Sequence, residues 1–206
     1  MNRSKKTHRL ATVATPVLTA LLASVVGVSS AWAQTTTDHS TTTTTTTTTE
    51  AKAHKLDRTD AGFLKDAAEA GLAEVEAGKT AAGKATNPDV KAFAQKLVDD
   101  HTKAHAELAT LAANKNVKLP TDPSMVDKAK LKVLAMREAA SFDKHFIKTM
   151  GVEAHEDAIK RFEKEIRDGK DADVKAFASK ILPALQEHLQ MAKDLHARLD
   201  PKDAKK

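Results

Sequence analysis

Apolar residues recur at three- and four-residue intervals from about Leu56 to Leu199, and that period predicts helices rather than strands. Phe63, Leu64, Ala67, Ala68, Val75, Ala82 and Ala85 line one side of a first helix, starting near Thr59-Asp60 and stopping before Asn87-Pro88. Pro88 suits a first helical position, and Val90, Phe93, Leu97, His101, Ala104, Leu108 and Leu111 make a second stripe down to about Lys115. Pro120 and Pro123 then force a loop. Ser124 with Asp127 has the spacing of a capping box, so helix resumes near Met125 and runs, with a break, to Asp168-Gly169. Gly151 lets the stripe of this long stretch shift. The last helix starts at Asp171 and carries Val174, Phe177, Ile181, Leu185, His188, Ala192 and Leu195 before Asp200-Pro201, with Pro183 expected to kink it.

Asp89-Val90-Lys91-Ala92-Phe93-Ala94-Gln95-Lys96 recurs as Asp173-Val174-Lys175-Ala176-Phe177-Ala178-Ser179-Lys180, so two equivalent helices start alike. Strand and hairpin signals are nearly absent. The expectation is an all-α, ferritin-like four-helix bundle, up-down-up-down, with an extra helical segment between the second and third main helices. In that order both short links, at 86–89 and 168–172, lie at one end.

The chain before this region differs. Asn2-Arg3-Ser4-Lys5-Lys6, an apolar stretch from Leu10 to Val28 and Ala31-Trp32-Ala33 read as a signal peptide over 1–33. Residues 34–55 are Thr-rich, with an unbroken run from Thr41 to Thr49, and read as a disordered tether. Residues 201–206 read as a disordered tail. The helical domain is then 56–200. The leader carries four of the 33 basic residues and none of the 28 acids, which leaves 29 bases against 28 acids. That balance gives no reason to invoke nucleic acid, and no run after the leader is apolar enough to span a membrane. Without cysteine, stability rests on packing.

The candidate chemistry lies inside the stripes. His101, His155 and His188 each fall near the middle of a different apolar face, where a ring nitrogen needs a hydrogen-bond partner or a metal. Counted from the two links at about 1.5 Å per residue, His101 and His155 lie about 20 Å deep and Glu74 about 18 Å. Glu69, His105 and His188 lie about 25 Å deep, as a second layer. Bundle metal sites are built this way, but a di-iron centre needs Glu-x-x-His pairs and none occurs. Asp99-Asp100-His101, His155-Glu156 and Glu187-His188 occur instead, with neighbours pointing about 100° apart, so those carboxylates belong to other layers or to solvent. His101 and His105 have the i, i+4 spacing of a Zn, Cu or Ni pair. Core histidines satisfied by Glu74, Glu69 or Asp143 are the leading reading. The other is a transition-metal site (Fe, Cu, Zn or Mn) drawn from His101, His155, His188, Glu74, Glu69 and His105. Met125, Met136, Met150 and Met191 read as core filling. No phosphate loop, cysteine nucleophile or catalytic triad is present, which argues against an enzyme.

The series Phe63-Leu64-Lys65-Asp66-Ala67-Ala68, Glu74-Val75-Glu76-Ala77-Gly78, Asn87-Pro88-Asp89-Val90-Lys91-Ala92-Phe93-Ala94, Asp99-Asp100-His101, His155-Glu156 and Leu182-Pro183-Ala184-Leu185-Gln186-Glu187-His188-Leu189 resembles an exported bacterial family, domain of unknown function 4142. Its members are often labelled membrane or outer-membrane proteins. The resemblance covers about Leu56 to Leu199. It implies a ferritin-like bundle in the periplasm, no established activity, and recurrent positions at Glu74, His101, His155 and His188. Two functions follow: a structural or stress-related envelope protein acting through a partner, or a metal-binding or redox bundle.

Overall fold

The computed structural model describes residues 56–200, and the expected leader, tether and tail lie outside them. Among the described residues there is no strand, and no helix is long and apolar enough to cross a membrane. The helices are α1 (Arg58–Lys84), α2 (Pro88–Asn114), α3 (Met125–Ala135), α4 (Ala139–Phe146), a π-helical segment (Ile147–Glu153), α5 (Ala154–Asp168) and α6 (Ala172–Leu199). Starts and stops agree closely with the caps read from sequence. Asp57, Asn87, Ser124 and Asp171 each accept a backbone N–H of the first turn they precede, and Pro88 occupies the first turn of α2. The long third stretch is broken twice, at 136–138 and by the π-helical turn, which falls at Gly151.

The up-down-up-down order is corrected by two carboxylates. Asp143, on α4, accepts from the backbone of Thr86 and Asn87 and from the Thr86 hydroxyl, at 2.7–3.2 Å, so α4 begins beside the α1–α2 link. Asp60, at the start of α1, accepts from the backbone N–H groups of Lys170 and Asp171 at 2.7–3.2 Å. The α5–α6 link therefore lies where α1 begins and α2 ends, and Lys115, just past α2, pairs there with Asp171 and Asp173. The two links sit at opposite ends. The segment 115–138, with α3, carries the chain back along the bundle, so α2 and α5 run parallel. The sequence showed helix lengths but not that this connection is long enough to cross, and a helix pattern has no direction of its own.

Each equivalent start thus receives the same treatment. An Asx residue caps the new helix, and a buried carboxylate from the other hairpin holds the link. Between these ends the core falls into two apolar clusters. One gathers Val90, Phe93, Phe142, Phe146 and Leu195 near the α1–α2 link. The other gathers Phe63, Leu64, Phe162, Val174 and Phe177 near the α5–α6 link. Close helix approach is built in at Gly78, where a Cβ would stand 2.9 Å from the Ala94 carbonyl oxygen on α2.

Candidate metal centre

A polar layer separates the two clusters. It contains Glu74 from α1, His101 from α2, His155 from α5 and His188 from α6, all buried. Their ring centroids form a near-equilateral triangle: His101–His155 5.6 Å, His101–His188 5.4 Å and His155–His188 5.3 Å. One nitrogen from each histidine lies within 4.8 Å of the others.

The outer nitrogens are already engaged. His155 Nδ1 lies 2.9 Å from the Met150 carbonyl oxygen, which can only accept, so Nδ1 carries the proton. The π-helical turn makes this possible, because the Ala154 N–H donates to Thr149 across five residues instead of to Met150. His188 Nε2 lies 2.8 Å from Asp100 Oδ2, and the ionised carboxylate likewise assigns the proton to Nε2. His155 Nε2 and His188 Nδ1 face each other at 3.3 Å; with the outer protons assigned, this contact is a hydrogen bond when one ring carries a second proton and a pair of opposed lone pairs when neither does. A contact of that kind requires a shared proton or a cation.

Glu74 Oε2 stands 2.5 Å from His101 Nε2 and 3.5 Å from His155 Nε2. The first contact is an ion pair by distance, yet neither atom finds a hydrogen bond of acceptable direction, so two buried polar atoms face the cluster without being directionally satisfied. Burial pushes the Glu74 carboxyl up, but the charges of His101 and His155 and the short contact with His101 outweigh it and hold it at about 2. Burial lowers His101, and the Glu74 carboxylate more than reverses that, raising it. His188 is lowered, by burial first and then by the charges of His101 and His155 against the Asp100 hydrogen bond.

The three histidines are of a type and spacing that could hold a metal ion. Bonds of about 2.05 Å in a tetrahedron place ligand atoms about 3.3 Å apart, close to the His155–His188 and Glu74–His155 separations, whereas Glu74 and His101 at 2.5 Å would have to move apart and the three histidine nitrogens, within 4.8 Å of one another, would have to draw in. The second ring nitrogens are held by a carbonyl and a carboxylate, as ligating histidines require. His101 and His188 border an open groove of about 310 Å³ between α2 and α6, which gives the layer a route to solvent.

His188 belongs to this layer, and its expected place in a second layer with Glu69 and His105 is corrected. The α5–α6 link lies at the opposite end from the α1–α2 link, so depths counted from the two links have no common origin. Measured from the α1–α2 end, His188 and Glu74 both lie about 16 Å deep. Mid-helix residues such as His101, at the centre of α2, have the same depth from either end. Glu69 stays outside, half-buried in a groove with Lys130 and Arg161. His105 is also outside the cluster, though its Nδ1 is buried without a partner and its ring borders a 40 Å³ cavity shared with Glu74 and His101. Asp143 serves the link and no histidine. Asp100, read from sequence as belonging to another layer or to solvent, supports His188 instead. Its 100° offset from His101 aims it at α6, which no pattern within α2 could show.

The sequence reading missed one more carboxyl pair. Glu165, buried beside Asp60, is pushed up to about 7, by burial and then by the Asp60 charge and hydrogen bond.

A family model, domain of unknown function DUF4142, matches residues 45–195. The chain belongs to this family. Two solved structures share the DUF4142 protein's fold. A DUF305 fragment from Deinococcus radiodurans is 9% identical and covers 70% of this chain and 99% of its own, with a TM-score of 0.62. A DUF305 protein from Streptomyces coelicolor is 15% identical and covers 68% of this chain and 92% of its own, with a TM-score of 0.59. A comparison with curated proteins gave no match.

Proposed function

We propose that this DUF4142 protein binds one divalent transition-metal ion at mid-bundle, through His101 Nε2, His155 Nε2, His188 Nδ1 and Glu74 Oε2. The observation that carries the reading is the convergence of three buried imidazoles, one nitrogen from each within 4.8 Å of the others, with the other nitrogens of His155 and His188 already committed to acceptors. Three imidazoles and one carboxylate, with no thiolate, suit Cu(II), Zn, Ni or Co, and Fe or Mn at lower affinity. The domain on this reading is a ferritin-like bundle with a long crossover. The leader directs export, with cleavage after Ala33 and residence in the periplasm.

The test is elemental mass spectrometry of the untagged protein after exposure to each metal, beside His155→Ala and His188→Ala. Near-stoichiometric metal, lost in both variants, is the expected result. A protein that stays metal-free with every ion would overturn the reading and leave a structural cluster held by the Glu74–His101 pair.

A further inference from the structure

The four large apolar side chains that stand exposed among the described residues are Met125 (81%), Val126 (65%), Val133 (52%) and Met136 (74%), all within or just past α3. At about 100° per residue, Met125, Val126, Ala129, Val133 and Met136 share one arc of roughly 100°. Leu134 is buried and Leu131 packs against the core cluster, so α3 already has an inner apolar face. The outer face is a second one. Lys128 and Lys132 fall along one border of it and Lys130 along the other, at the same 100° step. Lys132 makes no ion pair among the described residues, while Lys128 reaches Asp122 at 3.1 Å and Lys130 reaches Asp127 only at 3.8 Å.

We infer that α3 docks on an anionic lipid surface, with Met125, Val126, Val133 and Met136 entering the headgroup boundary and the bordering lysines meeting lipid phosphates. An apolar face edged by lysines on both sides suits a plane of mixed apolar and negative character, where long lysine stems keep their ammonium groups at the polar level. A second copy is a poorer occupant. Four side chains and an alanine offer well short of the roughly 800 Å² per partner that a stable interface buries, and pairing two α3 faces brings lysine borders together. The inference does not depend on metal binding.

The chain has no cysteine, so one introduced thiol can report the environment of one position. The full chain carrying Val133→Cys, labelled with an environment-sensitive fluorophore, is mixed with phosphatidylcholine vesicles with and without phosphatidylglycerol. Ser179→Cys, on exposed α6, is the control. The expected result is a blue shift at position 133 that needs phosphatidylglycerol, is absent at position 179, and disappears when Val126→Glu and Met136→Glu are added. No shift overturns the inference, as does an equal shift with neutral vesicles or at position 179. A shift without lipid that grows with protein concentration also overturns it, in favour of self-association.

Discussion

His155 and His188 meet through their inner nitrogens at 3.3 Å, while the outer nitrogen of each is fixed, one on the Met150 carbonyl and one on Asp100. The two rings are therefore held in fixed orientations by their outer contacts. Orientation comes from a π-helical turn on one side and a half-buried carboxylate on the other.

Asp100 accepts from His188 without belonging to the proposed ligand set, so Asp100→Asn should weaken the proposed metal binding while leaving the helical fold intact. Outer partners of this kind are worth about 10- to 100-fold in affinity. Competition with a chelating dye measures it, and an unchanged affinity would show that His188 needs no such anchor.

Metal added to the protein should raise its melting temperature, and a chelator should reverse the gain. At a free metal concentration one hundred times the dissociation constant the native state gains about 2.7 kcal/mol. Thermal unfolding with and without chelator reads this directly. The same shift in His155→Ala would place the binding elsewhere.

Glu165 gives a pH dependence of definite sign. Its folded pKa, about 7, lies above the usual 4.5, so the native state holds a proton that the unfolded chain releases. Its contribution is fully present below pH 4.5 and is lost as pH rises through about 7. Glu165→Gln should flatten urea-derived stability across that window and leave the variant more stable than the parent at pH 8. A parent with no loss of stability between pH 5 and 8 would contradict the assignment.

Asp143→Ala removes a buried carboxylate that receives two backbone N–H groups and a hydroxyl at the α1–α2 link. Leaving those donors unsatisfied should cost about 2–4 kcal/mol in chemical denaturation. Asp60→Ala at the opposite link should cost a similar amount. Were either variant as stable as the parent, the links would not be what holds the two hairpins in register.

Gly151→Ala would set a Cβ 2.8 Å from Ala192 Cβ and 3.3 Å from Phe93, inside the π-helical turn. Overpacking there should destabilise by about 1–3 kcal/mol, and it should also weaken metal binding by shifting Met150 and His155. Loss of stability with full affinity would separate the turn from the site.

The sequence by itself determined the helices, their caps and three of the four inward-pointing donors at the right level, because period, Asx caps and proline act within a few residues of chain. It also determined the equivalence of the α2 and α6 starts. Tertiary structure alone decided the direction in which the second hairpin runs, since helices pack in either sense and only the partners of Asp60 and Asp143 distinguish them. It decided the level of His188, which depends on that direction, and the role of Asp100, whose partner lies 88 residues away. The π-helical turn belongs here too: Gly151 permits it, but the packing of Phe93 and Ala192 around that glycine, and the His155 ring on Met150, are long-range and medium-range contacts that no local pattern records.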